Sequence, residues 1–235
     1  MKENLLGVNV SNETYEQITQ KLLDRIRHNQ KSFIVAINPE KIMKAQNDAQ
    51  LMELLNKADF QIPDGVGILL ASKLRGGKIR QRVTGIDLMM HLCKAFAKNN
   101  KSIFLYGGQP GVAEKACECL KILYPGINIT GVLNGYEKDE QIVRSTINRA
   151  NPDIVFVALG SPVQEYWIVN NMNHLSAQVF QGVGGSFDVI SGRVKRAPSI
   201  FRRFGLEWLY RLLKEPVRWK RQTILPKFLI KALKE

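Results

Sequence analysis

Four short stretches of this chain combine residues that could do chemistry. The first is Pro63-Asp64-Gly65, a carboxylate in a tight turn. Asp-Gly is a common turn, and at the end of a strand the same carboxylate can serve as a general base. The second is Tyr106-Gly107-Gly108-Gln109-Pro110-Gly111. Glycines between a strand and a helix let backbone N–H groups approach a phosphate, and they also suit any tight strand-to-helix turn. The third is Gly160-Ser161-Pro162-Val163-Gln164-Glu165, where Gln164 and Glu165 either cap a helix or hydrogen-bond a hydroxyl-rich ligand. The fourth, Gln181 to Asp188, holds Gly182, Gly184 and Gly185, with Asp188 placed to bind ribose or sugar hydroxyls or to end a flexible loop.

A fifth feature is electrostatic. Of 235 residues, 34 are Lys or Arg and 21 are Asp or Glu, a formal charge of +13. From Arg193 onward, thirteen basic residues face three glutamates, a surplus of ten. Trp208, Tyr210, Trp219, Phe201, Phe204 and Phe228 are interleaved with them. Cations with interfacial aromatics suit an anionic, partly apolar surface such as lipid headgroups. Nucleic acid matches the charge but no recognised nucleic-acid motif is present. Arg211, Lys214, Arg218 and Arg221 fall on one helical face if Pro216 only kinks the helix, and guanidiniums there could neutralise a departing diphosphate.

Metal chemistry finds little support. His28, His91 and His174 are dispersed, and there is no DxD pair to hold a divalent ion against a nucleotide diphosphate. The three cysteines make no CxxC pair, which suits a reducing cytoplasm. Residues 1–7 lack a signal-peptide core, and the longest apolar run, 154–159, is far short of the ~20 residues a spanning helix needs. Any membrane contact is therefore expected to be peripheral. A nicotinamide-dependent oxidoreductase is disfavoured, because GxGxxG is missing after the first strand.

The elements that must position these loops follow from periodicity. Strands are predicted over 5–10, 32–37, 58–62, 102–106, 127–132, 153–159 and 178–182. Helices are predicted between them, the first capped by Asn12. Near-continuous apolar strands alternating with helices predict an α/β fold: a Rossmann-like, mostly parallel sheet with helices on both faces. Residues 1–197 form the body in this reading, and 198–235 a basic, amphipathic helical appendage.

Taken in order, the loops resemble the WecG/TagA/CpsF family of bacterial glycosyltransferases. The resemblance runs over nearly the whole chain. It rests on Asn38-Pro39-Glu40, Ile62 to Gly67, Arg82 to Gly85, Tyr106-Gly107-Gly108, Gly135-Tyr136, Gly160 to Glu165, Gly182 to Asp188, Arg196-Ala197-Pro198 and Glu207 to Arg211. It implies an inverting enzyme at the cytoplasmic membrane face, needing neither metal nor cofactor. Such an enzyme moves N-acetylmannosamine or its uronic acid from a UDP donor to N-acetylglucosamine on undecaprenyl diphosphate, for teichoic acid, common antigen or capsule. The expectation is UDP-N-acetylmannosamine and the wall teichoic acid linkage unit, with the uronic acid or a UDP-hexose as alternative donors. The resemblance places the general base at Asp64, and Arg82 and Gln164 along the sugar and acceptor pocket with Asn38 nearby. Tyr136 and Asp188 would contact the nucleotide, and Arg211, Arg218 and Arg221 would close over the site from the appendage. Self-association is also implied. Ala36 departs from the pattern, standing where many members have Thr.

Overall fold

The computed structural model describes residues 2–214 and 223–234. Its first element corrects the sequence reading. Residues 5–10 are not one strand but parts of two: β1 (Lys2–Leu5) and β2 (Val8–Ser11) pair antiparallel, Leu5 opposite Val8. Leu6 and Gly7 form the two-residue turn, with φ of 52° and 80°. Positive φ at both positions matches the twist of a hairpin. The apolar run Leu5, Leu6, Val8, Val10 hides that turn because all four side chains are buried.

The first helix, α1 (Tyr15–Arg27), is capped by Thr14 rather than Asn12. Thr14 Oγ1 accepts the Gln17 N–H, and Gln17 Oε1 accepts the Thr14 N–H. Only Thr14 has a Gln three positions on to complete this reciprocal pair.

Six strands form the main sheet: β3 (Ser32–Ile37), β4 (Phe60–Pro63), β5 (Ser102–Gly107), β6 (Asn128–Leu133), β7 (Ile154–Ala158) and β8 (Val179–Gly182). Their order is β4-β3-β8-β7-β5-β6, and every neighbouring pair is parallel. The chain builds β3 and β4 outward one way, crosses to β5 and β6 outward the other way, then returns to fill the middle with β7 and β8. The carboxyl ends therefore share one edge, and the crevice lies where the order reverses.

Side chains alternate across the sheet. Phe33, Val35, Ile37, Phe104, Tyr106, Val155 and Val157 belong to one core cluster, and Ile34, Ile103, Leu105, Ile154 and Phe156 to the other. The first face is covered by α2 (Pro39–Ala45), α3 (Ala49–Lys57), α4 (Val66–Leu74), α7 (Glu140–Ala150) and α8 (Val163–Asn171). The second is covered by α1, α5 (Gly85–Lys98), α6 (Val112–Leu123) and the short α9 (Ser186–Ile190). At the amino edge, carboxylates serve structure. Asp59 accepts the Phe33 N–H and pairs with Arg25, and Asp153 accepts both the N–H and the hydroxyl of Ser102.

Beyond residue 197 lie α10 (Ser199–Arg203), α11 (Glu207–Lys214) and α12 (Ile224–Lys234). The last packs against α2 and α4, with Phe228 and Ala232 fully buried in the first core cluster. Lys231 reaches back to Gln46 Oε1 at 2.8 Å. Among the described residues no helix is long and apolar enough to cross a membrane.

Phe228 thus makes a core contribution despite its basic surroundings. Phe228→Ala should lower unfolding stability by about 3–5 kcal/mol. Leu233→Ala, on the exposed side of the same helix, should change it by less than about 0.5 kcal/mol. Denaturant unfolding of the two variants checks this; equal losses would mean that α12 is not docked in solution.

Candidate active site

The carboxyl edge of the sheet carries three groups of polar residues. The first surrounds a cleft of about 480 Å³. Gly108, Gly135, Tyr136, Gly160, Gly185 and Asp188 are among its walls, so it gathers the loops after β5, β6, β7 and β8. This volume suits a small-molecule ligand. The loops are laced by backbone hydrogen bonds: Gly108 N–H to Ala158 O at 2.9 Å, and Gly135 N–H to Gly108 O at 2.9 Å. Such close approach needs Gly107. Its φ is +118°, and a Cβ there would lie 2.5 Å from Ala158 O. The N-terminus of α6 follows directly, the arrangement that favours an anion. Tyr136 is 61% exposed at the rim, with an aromatic face available to a ligand. Asp188 sits 3.7 Å from the guanidinium of Arg193, another wall residue.

The second group lies around β3 and β4. Asp64 follows β4, and its N–H extends the ladder to Ile37 O at 2.8 Å. Val83 N–H donates to Pro63 O at 2.9 Å, which lays the Arg82–Thr84 segment alongside Asp64. Tyr15 clamps that segment, its hydroxyl donating to Arg82 O and accepting the Thr84 N–H. Burial raises the pKa of the Tyr15 phenol, and the nearby carboxylates of Asp87 and Asp64 add to the rise against the Thr84 hydrogen bond. Asn38 caps α2, its Oδ1 accepting the Lys41 N–H at 2.8 Å. Ala36 faces the start of α5, where a Cβ on Gly85 would lie 3.7 Å from it.

Arg82 is held rather than extended. Its Nη2 lies 3.0 Å from Glu207 Oε2 and 3.4 Å from Arg202 O. Glu207 also lies 3.5 Å from Arg196, and Arg196 pairs with Asp87 at 2.7 Å. Asp87 in turn accepts the Thr84 hydroxyl. This chain of charges ties α11 to the loop beside Asp64.

The third group is buried. Gln164 accepts the Gly184 N–H at 2.9 Å, so it supports the cleft wall from behind. Glu165 has no exposure, and its Oε1 meets Lys41 Nζ at 2.8 Å and Gln164 Nε2 at 3.0 Å. Glu165 therefore faces protein here, where the sequence reading offers it to a ligand. The first turn of α8 points it inward onto α2.

Of the residues expected from sequence, Gly108, Tyr136 and Asp188 line one cleft with Gly107 beneath it, and Asp64 and Arg82 are neighbours on the other half of the edge. Arg211 is a residue of α11, and Arg218 and Arg221 lie outside the described residues. Lys41, Asp87, Arg196 and Glu207 belong to these groups although the sequence predicts no role for them. Arg196 and Glu207 stand inside motifs that carry the family resemblance, which is the available signal; Lys41 and Asp87 have none. Among the described residues no three His, Cys, Asp or Glu side chains cluster as a metal site would.

Comparison with known proteins gives a consistent result. Residues 3–235 match the model of the glycosyl transferase WecG/TagA/CpsF family. Three relatives are each named N-acetylglucosaminyldiphosphoundecaprenol N-acetyl-beta-D-mannosaminyltransferase. The protein of Bacillus spizizenii is 44% identical over 207 residues, 88% of this chain and 80% of its own. That of Bacillus subtilis strain 168 is 42% identical over 202 residues, 86% and 79%. That of Staphylococcus aureus MRSA252 is 34% identical over 235 residues, 99% and 92%.

The Asp87 carboxyl makes the charge chain pH-dependent. Burial alone would raise its pKa, but the Thr84 hydrogen bond and the guanidiniums of Arg196 and Arg82 outweigh it and hold the pKa below the ordinary value. A depressed carboxylate lends stability that is complete above its unfolded pKa of about 4 and is lost as pH falls through the folded one. Asp87→Asn should therefore cost about 1–2 kcal/mol at pH 7 and flatten the acid limb of the stability curve. Denaturant unfolding between pH 7 and 3 tests this, and an unchanged acid limb would contradict it.

Proposed function

Because the chain belongs to the WecG/TagA/CpsF family of glycosyl transferases, we propose that it transfers N-acetylmannosamine from UDP-N-acetylmannosamine to N-acetylglucosamine on undecaprenyl diphosphate. The names of relatives 34–44% identical over most of the chain support N-acetylmannosamine as the sugar moved and the undecaprenyl-diphosphate-linked acceptor. The observation that carries the mechanism is that one sheet edge holds both a glycine-walled cleft and Asp64. The cleft fits a nucleoside diphosphate, with its phosphates toward the backbone N–H groups after Gly107 and the start of α6. Tyr136 and Asp188, both lining the cleft, are read as contacts for the base and ribose.

In the reaction the acceptor hydroxyl oxygen attacks the donor anomeric carbon from the face opposite UDP. The new C–O bond forms as the bond to the β-phosphate oxygen breaks, which inverts the centre. Asp64 takes the hydroxyl proton and releases it to solvent. UDP leaves with both bonding electrons, and Arg211, Arg218 and Arg221 are the cations assigned to that charge, in place of a metal. The product is the disaccharide-lipid from which the wall teichoic acid linkage unit is built.

On this reading the enzyme works at the inner face of the plasma membrane, where a lipid-linked acceptor would be met. Ile200, Phe204 and Leu213 are exposed on α10, α11 and the turn between them, among Arg202, Arg203 and Lys214. Basic residues at such a surface contribute about 1 kcal/mol each toward anionic lipid. This supports residues 198–235 as a peripheral membrane element.

UDP release is the direct test, with undecaprenyl-diphosphate-linked N-acetylglucosamine as acceptor and EDTA present. UDP-N-acetylmannosamine, its uronic acid and UDP-hexoses should be compared. Release should depend on acceptor and favour UDP-N-acetylmannosamine. Asp64→Asn should lower kcat by about 10²–10⁴ while UDP affinity stays within about twofold. Full activity in that variant would remove Asp64 from the chemistry, and preference for another donor would reassign the sugar.

A further inference from the structure

Lys41 and Glu165 form an ion pair that the transfer chemistry does not use. It is deeply enclosed, with side chains 6% and 0% exposed. Breaking such a pair is costly, and an apolar pair of like size is often as stable or better. Fold stability alone therefore gives no reason for these charges to be here. What they touch does.

The pair spans the middle of the sheet. Lys41 stands in the first turn of α2, three residues after Asn38, which caps that helix through the Lys41 N–H. Glu165 stands in the first turn of α8 after β7. Between β3 and β7 runs β8, and it carries Gly182 at this level. A Cβ on Gly182 would lie 2.6 Å from Gln164 Nε2, so the missing side chain leaves the space that the Gln164 amide fills. Glu165 Oε1 receives both Lys41 Nζ and Gln164 Nε2. That contact fixes which end of the Gln164 amide points where. With its NH₂ directed at the carboxylate, its oxygen faces Gly184 N–H, a wall of the cleft.

We infer that Lys41 and Glu165 are positioning residues: through the Gln164 amide they hold the Gly184–Gly185 wall of the cleft and set it relative to the Asn38 end of α2. Lys41 neutralises the carboxylate, Glu165 orients Gln164, and Gln164 pins Gly184. The effect on turnover rests on the transfer reaction proposed above; the effect on Gly184 does not.

Two double variants separate orientation from charge. Lys41→Met with Glu165→Gln removes both charges but keeps a carbonyl oxygen to accept from Gln164. Lys41→Met with Glu165→Leu removes the charges and the acceptor. Both should fold, since the burial is apolar or neutral. Amide hydrogen exchange at Gly184 should stay near the wild-type rate in the first and rise tenfold or more in the second. UDP release should stay within about threefold of wild type in the first. In the second kcat should fall about 10–100-fold, with a smaller change in KM. Equal Gly184 exchange in the two variants, or wild-type turnover in the second, would overturn the inference. If wild type releases no UDP from any donor, the exchange comparison still decides. Should a double variant not fold, Glu165→Asp keeps the charge and withdraws the carboxylate by one methylene. Faster Gly184 exchange there supports the relay, and an unchanged rate refutes it.

Discussion

Apart from its edge strand β6, the main sheet is buried on both faces, and that constraint orders everything else. Ile34, Val35, Leu105, Val155, Phe156 and Phe180 lie between two layers of helices with almost no access to water. The N–H and C=O groups of the inner strands β3, β5, β7 and β8 are taken up by parallel neighbours on both sides, since an unpaired one in that environment is costly. Polar chemistry is left with the two edges where the strands end. At the amino edge Asp59 and Asp153 spend their oxygens on the backbone of the adjacent strand. At the carboxyl edge glycines leave backbone and space exposed, and there the cleft forms.

That edge is assembled from distant parts of the chain. β3 and β4 bring Asn38 and Asp64, β5 and β6 bring Gly108 and Tyr136, and the late strands β7 and β8 close the gap between them. Two charge systems join the parts. One is interior, from α2 to α8 through Lys41 and Glu165. The other lies nearer the surface, where Glu207 engages both Arg82 and Arg196 and so couples α11 to the loop beside Asp64. In the second system two guanidiniums face two carboxylates, Glu207 and Asp87, so the charges balance and serve to hold the parts together.

The sheet was legible in the sequence because its strands are apolar runs bounded by glycine or proline. Gly107-Gly108 and Gly184-Gly185 were legible for a related reason: glycine after a buried strand has few other uses. The hairpin was missed because Leu6, a residue that rarely adopts positive φ, occupies half the turn and is buried like a strand residue. Asn12 and Thr14 are both capping residues, and the deciding partner, Gln17, lies outside the local pattern of apolar spacing. Glu165 reads from sequence as a cap or a ligand contact, since helix first turns at strand ends commonly serve as either. Its partner Lys41 is 124 residues away, and no periodicity reports such a pairing. Lys227, Lys231 and Lys234 on α12 mark a solvated face, while Phe228 and Ala232 four apart mark a buried one. Sequence offers both faces and does not say that α2 and α4 provide the groove.

That groove has a consequence for how the molecule comes into being. Ribosomes deliver α2 and α4 early and α12 some 150 residues after α4. Until Phe228 arrives, an apolar trough between two finished helices stays open to water. Contacts of such long sequence separation are slow to form, and the waiting intermediate carries exposed hydrophobic surface. A chain halted before residue 228 has the whole sheet and every loop of the cleft, yet it presents the trough permanently to chaperones and proteases. Arrival of α12 and completion of the core are thus the same event, and a transferase without α12 is marked as unfinished by its own interior.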